Sequence, residues 1–370
     1  MKSYLFTLLT ACVAVSFPAL VAAQSHPEKN FEAFWEIMDE HYAFFELKGV
    51  DWQAVYDTYR PKVKPTTSDE ALFELLTEIL EPFQDGHISL KTGGEMKFSG
   101  GRPSNFESQF PTDSLKRAYF QLVEAQLQAS GFDTLKQEGP LLSAKTALYD
   151  HSVFEHTASE QFAYIKVSWF FYDWQQVQKL LRRKKDRQQF LAAFDGLLQQ
   201  YANKEGLILD LRNNIGGVSG YPERLVGRFV KAPFVGEYTC SRKNDGHEAF
   251  TTLKPTKVKP AKTIIFNNPV IVLVNGETVS AAEEFVQMMR GLPRILIVGK
   301  PTQGALSDIY AKDLPNGWTL SLSNMRFYDR NKACWEGKGI PVDWEVSNDK
   351  SNLETGEDPV LQKALQLLSQ

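Results

Sequence analysis

The chain contains little cysteine. Of its 370 residues, three are cysteines: Cys12, Cys240 and Cys334. No cluster of cysteine and histidine residues has the spacing of a zinc site. The G-x-G-x-x-G pattern of a dinucleotide site is also missing from the segment around Gly216 and Gly217. We therefore expect neither a metal nor a cofactor.

The chain also lacks a strong charge of either sign. It has 41 basic and 45 acidic residues, a formal net charge of −4. This balance gives no reason to expect a nucleic acid or an anionic membrane as partner. Residues 173–202 form a long helical pattern, and the basic run within it, "RRKKDR" (182–187), is interpreted as a solvated helix face. Beyond the N-terminus, no apolar run is long enough to predict a membrane span.

The N-terminus itself is apolar. Residues 1–23 carry one lysine, a long apolar stretch and a small-residue end at Ala23, the pattern of a cleaved signal peptide. "LTAC", ending at Cys12, resembles a lipoprotein box, but the apolar sequence continues past it, which disfavours lipidation. We therefore predict an exported protein, periplasmic or secreted. Export would leave Cys240 and Cys334 in an oxidising compartment, where we expect them to form a disulfide.

Three regions follow the signal peptide. Residues 24–92 show aromatic residues at helical spacing, with Asp51 and Ser68 as predicted N-caps, and indicate a small helical domain. Residues 93–160 begin with a Gly-, Ser- and Pro-rich stretch and are interpreted as a linker and cap region. Residues 161–370 alternate short buried strands with helical patterns, which predicts an α/β domain with a largely parallel sheet.

One stretch of that domain raises a chemical question. "VIVLVNGETVSAAEEF" (270–285) reads as a buried strand, a turn and a helix, with Ser280 at the turn. Taken alone, Ser280 and Glu283 have the spacing of a capping box, which is the commoner explanation. The alternative is a nucleophile held at a helix N-terminus, where free N–H groups favour negative charge. The Gly216–Gly217 pair after an earlier strand would let backbone N–H groups approach a ligand closely.

Four segments occur in a characteristic order: "DLRNNIGG", "VNGETVSAAEEF", "VGKPTQG" and "EGKGIPVDWEV". Together they resemble the tail-specific, or C-terminal processing, serine peptidases. Residues 30–63 also look like the helical domain that precedes the catalytic domain in many bacterial members. The resemblance implies a crotonase-like α/β catalytic fold. It further implies Ser280 as the nucleophile, with the backbone N–H groups of Gly217 and Ala281 as the oxyanion hole.

The departures from the family pattern point to one branch. Many members activate the serine with a lysine, where this chain has Ala305. "QDGHISL" and "CWEGKGI" instead resemble the histidine and glutamate motifs of the branch that includes the tricorn protease core. The resemblance therefore implies a Ser280–His87–Glu336 arrangement. The serine that often precedes the histidine is replaced by Gly86, so water or Ser89 would have to complete the link between His87 and Glu336.

These observations predict an exported serine endopeptidase that acts on peptide or protein substrates. The alternative is a non-catalytic module that binds apolar ligands or peptides on the same fold. The absence of the family lysine and the presence of Gly86 keep that alternative open. No peptide-binding PDZ module is recognisable in residues 93–160, and the sequence makes no prediction of oligomeric state.

Overall fold

The structure of the protein is a computed structural model that describes residues 26–142, 151–244 and 246–370. The predicted signal peptide and Cys12 lie outside these residues. The α-helices are α1 (Pro27–His41), α2 (Phe45–Lys48), α3 (Trp52–Tyr59), α4 (Asp69–Leu80), α5 (Asn105–Gln109), α6 (Asp113–Ala129), α7 (Trp174–Val177), α8 (Arg183–Gln200), α9 (Pro222–Val226), α10 (Ala281–Met289), α11 (Asn352–Thr355) and α12 (Pro359–Leu368). Short 3₁₀ turns cover Arg60–Lys62, Glu81–Phe83 and Leu180–Arg182.

The strands fall into three sheets. In chain order they are β1 (Ser89–Lys91), β2 (Lys97–Ser99), β3 (Lys136–Leu142), β4 (His151–Ala158), β5 (Phe162–Val167), β6 (Gly206–Asp210), β7 (Phe234–Ser241), β8 (Lys254–Val258), β9 (Val270–Val274), β10 (Ile295–Gly299), β11 (Ile309–Asp313), β12 (Thr319–Ser323), β13 (Met325–Asp329) and β14 (Trp344–Glu345). The sheet orders are β11-β12-β1-β2, β14-β10-β9-β6-β5-β4-β3 and β13-β7-β8.

The N-terminal helices begin where the sequence places their caps. The Asp51 carboxylate accepts a hydrogen bond from the N–H of Ala54 at 3.0 Å. The Ser68 hydroxyl accepts one from the N–H of Ala71 at 3.2 Å. Each satisfies an N–H group that the first helical turn leaves free. Both predicted N-caps are thus confirmed.

The strand after the histidine motif joins these helices to the C-terminal half of the chain. Ser89 of β1 lies opposite Ser321 of β12 in an antiparallel pair. Leu90 and Leu320 on these strands are fully buried in the same apolar cluster as Phe34 of α1. The predicted helical region therefore shares one core with the β11–β12 hairpin. This sharing sets the position of His87 relative to the rest of the chain.

The centre of the large sheet is parallel, as predicted. Strands β5, β6, β9, β10 and β14 pair in parallel, whereas β3 and β4 are antiparallel at one edge. Residues of β6 alternate between two cores: Leu207 and Leu209 pack with Phe194 of α8, and Ile208 packs with Leu361 of α12. Helices thus cover both faces, which explains why β5, β6 and β9 are buried throughout and mostly apolar.

The prediction of one long helix over 173–202 is wrong. Asp173 caps the short helix α7 through the N–H groups of Gln175 and Gln176. Lys179 then has an extended backbone, with φ −93° and ψ 106°, so the chain leaves the helix before α8 begins. In the linker and cap region, α6 confirms the helix that the sequence predicts over 113–130, whereas the sequence gives no clear indication of α5, β2, β3 and β4.

The expected disulfide is not formed, since both cysteines are free thiols. Cys240 is buried in β7, opposite Arg326 of β13. Cys334 packs against the core of the N-terminal helices instead. Among the helices of the described residues, none is both long enough and apolar enough to span a lipid bilayer.

Candidate active site

Ser280 occupies a strained turn between β9 and α10. Its backbone has φ 59° and ψ −124°, a conformation that side-chain-bearing residues rarely adopt. Such a conformation costs about 1–3 kcal/mol and persists only where its surroundings enforce it. The N–H of Ser280 donates to the carbonyl oxygen of Ala305 at 3.0 Å and to Oε2 of Glu283 at 3.1 Å. The turn presents a half-buried hydroxyl at the N-terminus of α10.

Glu283 holds this turn against the segment that follows β10. Its buried carboxylate accepts hydrogen bonds from Ser280 and three further donors, the Thr302 hydroxyl and the N–H groups of Gly304 and Ala305, at 2.6–2.8 Å. Burial raises the pKa of Glu283, and these hydrogen bonds act in the opposite direction. The predicted capping-box contact between Glu283 and Ser280 is present. It is part of a network that also fixes the position of the 302–305 segment.

The paired glycines lie directly beside Ser280. A Cβ atom on Gly216 would sit 2.8 Å from Cβ of Ser280, so no side chain fits there. Gly217, with φ 155°, packs on Phe170, and a Cβ there would meet the Phe170 carbonyl oxygen at 2.6 Å. The two glycines therefore allow the loop to pass between Phe170 of the sheet and the Ser280 turn.

Two backbone N–H groups next to Ser280 have no acceptor within the described residues: those of Gly217 and Ala281. The N–H of Gly216, by contrast, donates to Oδ1 of Asn214 at 2.9 Å. The side-chain oxygen of Asn214 thus leaves Gly217, and not Gly216, with a free donor. These are the two N–H groups that the sequence assigns to an oxyanion hole.

His87 lies in a buried polar cluster. Oδ1 of Asp85 accepts hydrogen bonds from the N–H of His87 at 2.9 Å and from the Ser323 hydroxyl at 3.0 Å. Oδ2 of Asp85 accepts one from the Tyr42 hydroxyl at 3.1 Å. Nδ1 of His87 is 3.4 Å from Oγ of Ser323 and 3.9 Å from Oδ1 of Asp85.

Glu336 belongs to the same cluster. One potential metal-ligand atom from each of Asp85, His87 and Glu336 lies within 4.8 Å of the other two. Oε2 of Glu336 accepts a hydrogen bond from the N–H of Leu306 at 2.8 Å. Two carboxylates and an imidazole are also a donor set that can bind a divalent cation such as zinc. The predicted pair of His87 and Glu336 is therefore brought together, with Asp85 as a third member.

Burial dominates the protonation of this cluster. It lowers the pKa of His87, while the negative charges of Asp85 and Asp308 act in the opposite direction. Burial also raises the pKa of Glu336 well above its usual range, and the charge of Asp85 raises it further. A neutral imidazole is thus favoured at neutral pH, next to a carboxyl group that resists ionisation.

A short segment connects Ser280 to the histidine cluster. The Ala305 carbonyl oxygen accepts from the N–H of Ser280, and Leu306, the next residue, donates to Glu336. Ala305 also faces the His87 turn: a Cβ on Gly86 would lie 3.7 Å from Cβ of Ala305. No hydrogen bond joins the Ser280 hydroxyl to the His87 imidazole within the described residues. In unliganded sites such bonds are often long.

The structure also locates the residues that bear on the departures of this chain from the family pattern. Ala305 is buried, and Lys300 lies away from the cluster, with Nζ 2.7 Å from Oε1 of Glu345. Ser89 does not link His87 to a carboxylate, because its hydroxyl bonds that of Ser321 at 2.7 Å. Ser323 lies between His87 and Asp85 instead. Neither Ser323 nor Asp85 was predicted as a partner of His87, although Asp85 lies within the histidine motif "QDGHISL".

Solved structures share this fold. A candidate peptidase from Parabacteroides merdae ATCC 43184 is 29% identical, with a TM-score of 0.73 over 93% of this chain and 97% of that one. Mature CPAF is 13% identical, with a TM-score of 0.62 over 95% of this chain and 97% of its own, a likeness of fold alone. The predicted crotonase-like α/β fold behind N-terminal helices is confirmed.

A sequence relative extends the comparison. A CtpA-like serine protease candidate from Staphylococcus saprophyticus subsp. saprophyticus is 26% identical over 148 residues. The match covers 39% of this chain and only 29% of that relative, so the chain spans less than a third of the relative's length.

Two family models match in sequence order. The tricorn protease C1 domain matches residues 24–81, which contain all of α1, α2, α3 and α4. Peptidase family S41 matches residues 161–346, half of the chain, and this range contains Ser280, the Gly216–Gly217 pair and Glu336. His87 lies between the two matched ranges. The chain belongs to peptidase family S41.

Proposed function

We propose that this protein is a serine endopeptidase in which Ser280 is the nucleophile and His87 its base. One observation carries the proposal: the N–H groups of Gly217 and Ala281 flank the strained Ser280 turn and have no acceptor among the described residues. Unpaired N–H groups that converge beside a hydroxyl suit the oxyanion of an acyl-transfer intermediate. Substrates would be peptides or proteins.

Attack on the peptide carbonyl begins with a proton transfer. Nε2 of neutral His87 accepts the Ser280 proton as Oγ bonds to the carbonyl carbon, and the carbonyl π electrons move to oxygen. The N–H groups of Gly217 and Ala281 donate to that oxyanion. The imidazolium then gives its proton to the departing amine as the C–N bond breaks. Water, deprotonated by His87, hydrolyses the acyl-enzyme in the same way.

The His87 imidazolium needs a counter-charge, and we assign it mainly to Asp85. Asp85 accepts three hydrogen bonds, from His87, Ser323 and Tyr42. Glu336 accepts one, from Leu306, within the described residues. Hydrogen bonds to a carboxylate favour its charged form, so the negative charge of the pair is better stabilised on Asp85. Glu336 then supports the site as a neutral carboxyl group that also holds the 305–306 segment.

Ser323 links His87 to Asp85, in place of the link to Glu336 that Gly86 cannot provide. Its hydroxyl donates to Oδ1 of Asp85 and therefore accepts from the Nδ1–H of His87. This arrangement would fix the tautomer in which Nε2 carries the free lone pair, as the base requires. We further propose that the protein acts without a metal and, on the basis of residues 1–23, that it is exported.

The test uses an unfolded protein as substrate and three samples: the wild type, the wild type with EDTA, and Ser280→Ala. We expect the first two to cleave equally and the variant not to cleave, while its melting temperature stays close to the wild-type value. Loss of cleavage with EDTA would instead assign Asp85, His87 and Glu336 to a metal site. An inactive wild type that binds apolar ligands would favour the binding-module alternative.

A further inference from the structure

An exposed patch of apolar and basic residues lies between α7 and the first turn of α8. It consists of residues 179–185, with the sequence KLLRRKK. Leu181 is 97% exposed and Leu180 is 75% exposed. Both lie on the 3₁₀ turn Leu180–Arg182 that replaces the predicted continuous helix. Two adjacent leucines that project so fully from a folded protein contribute nothing to its core and indicate a contact outside it.

The charge of this patch is opposite to that of the whole chain. Lys179, Arg182, Arg183, Lys184 and Lys185 are all exposed, five cations within the seven residues of the 179–185 patch. None of them forms an ion pair with a carboxylate within the described residues. The net charge of −4 therefore conceals a concentrated positive surface. The basic run is solvated, as the sequence predicts, but its surroundings are apolar.

The acid that follows the patch does not neutralise it. Asp186 is fully buried and accepts hydrogen bonds from the N–H groups of Tyr172 and Asp173 and from the Tyr221 hydroxyl, at 2.6–2.9 Å. These bonds hold the start of α8 against the body of the protein. The 179–185 patch is thus presented on a fixed support.

A third apolar side chain lies just before the patch. Trp174, on α7, is 45% exposed, with its ring centroid 5.3 Å from that of Phe171. Tryptophan and leucine side chains among lysines and arginines form the composition that binds at the boundary between lipid headgroups and acyl chains. We propose that the 179–185 patch, with Trp174, docks the protein on an anionic lipid surface.

The exposure of the leucines favours lipid over an acidic protein as the partner. An acidic protein would pair with the five cations and would not require the two leucines. A lipid surface uses both: the cations meet the headgroup phosphates while the leucines enter the acyl boundary. Because the leucines are almost entirely free of contacts, they can enter without rearrangement of the fold.

Docking would also orient the candidate active site. Tyr221, which bonds Asp186, follows the Gly216–Gly217 loop by four residues, and a Cβ on Gly220 would lie 3.7 Å from the Arg187 guanidinium. The 179–185 patch and the segment that follows the Gly216–Gly217 loop are therefore both held by contacts with the start of α8. The proposed peptidase would then cleave polypeptides close to a membrane surface. This consequence rests on the proposed function, whereas the docking itself does not.

The experiment measures co-sedimentation of the chain from residue 24 onward, without the predicted signal peptide, with phosphatidylcholine vesicles and with vesicles in which roughly a third of the lipid is phosphatidylglycerol. We expect binding to the anionic vesicles only, and its loss when NaCl is raised from about 0.05 M to about 0.5 M. Leu180→Ser with Leu181→Ser should weaken binding at least about tenfold, as should Lys184→Glu with Lys185→Glu.

The matched control is Lys259→Glu with Lys262→Glu, which makes the same charge change at two exposed lysines beyond β8. It should bind within about twofold of the wild type, since the attraction is local. No binding to anionic vesicles, or equal loss in the control, overturns the proposal. Absence of vesicle binding together with salt-sensitive binding to polyglutamate that survives the leucine changes would assign the patch to an acidic protein. None of these measurements depends on peptidase activity.

Discussion

The carboxylate of Asp85 lies 3.9 Å from the imidazole of His87, and the Ser323 hydroxyl contacts both. This buried arrangement makes Asp85 the better stabilised charge beside His87. Asp85→Asn should therefore lower kcat/KM by at least about a hundredfold, and Glu336→Gln by less than about tenfold. Steady-state kinetics on folded variants, checked by thermal melting, compare the two. A larger loss in Glu336→Gln would return the principal role to Glu336.

Ser323 should matter more than Ser89. Ser323→Ala removes the hydroxyl between His87 and Asp85, and we expect kcat to fall about tenfold with KM nearly unchanged. Ser89→Ala removes a hydroxyl that, among the described residues, bonds only that of Ser321, and it serves as the control on the paired strand. Its kcat should stay within about twofold of the wild-type value. Equal losses in both variants would mean that the hydroxyls act through the strand pairing and not through His87.

The pH profile should report a buried histidine. His87 must be neutral to accept the Ser280 proton, and burial lowers its pKa. kcat/KM should therefore fall on the acid side with a midpoint below about 6.5, the unperturbed histidine value. Lys300→Ala should leave this profile unchanged, because Lys300 pairs with Glu345. A midpoint well above 6.5 that disappears in Lys300→Ala would identify a lysine base instead.

A second buried carboxyl group should make stability depend on pH. Burial raises the pKa of Glu237 to about 7, while Nε2 of Gln287 donates to its Oε2 at 2.6 Å. Because the folded-state pKa exceeds the unfolded one, Glu237 destabilises the fold progressively as pH rises from about 4.5 to 7, by at most about 3 kcal/mol. Glu237→Gln should thus raise the melting temperature more at pH near 8 than near 5.

The exposed Glu345→Gln variant serves as the control for this prediction. It removes one carboxylate from the surface and should change the melting temperature slightly and similarly at both pH values. An identical shift for Glu237→Gln at the two pH values would show that its carboxyl group does not titrate differently in the folded and unfolded chains.

The parts of the site that are local in sequence could be predicted. The strand–turn–helix around Ser280 and the Gly216–Gly217 pair are encoded within a few residues each, and the structure places them side by side. Ser323 could not be predicted as a partner of His87, because 236 residues separate them and the pairing of β1 with β12 brings them together. No local pattern indicates such a long-range register.

The interrupted helix and the free thiols have similar explanations. The periodicity over 173–202 gives no sign of the extended Lys179 backbone, which separates α7, capped by Asp173, from the 3₁₀ turn that leads into α8. The expected pairing of Cys240 with Cys334 relied on their number after export and on the predicted hairpins beside them, whereas both are free thiols in the structure. Composition can limit which bonds are possible, but strand register decides which side chains meet.

The most direct test of Ser280 as the nucleophile is covalent labelling of the protein with a fluorophosphonate, followed by peptide mapping. We expect one modified site, Ser280, with no labelling of Ser280→Ala and much slower labelling of His87→Ala, because the hydroxyl reacts only when a base accepts its proton. An unlabelled wild-type protein, or a label on another serine with Ser280 untouched, would contradict it.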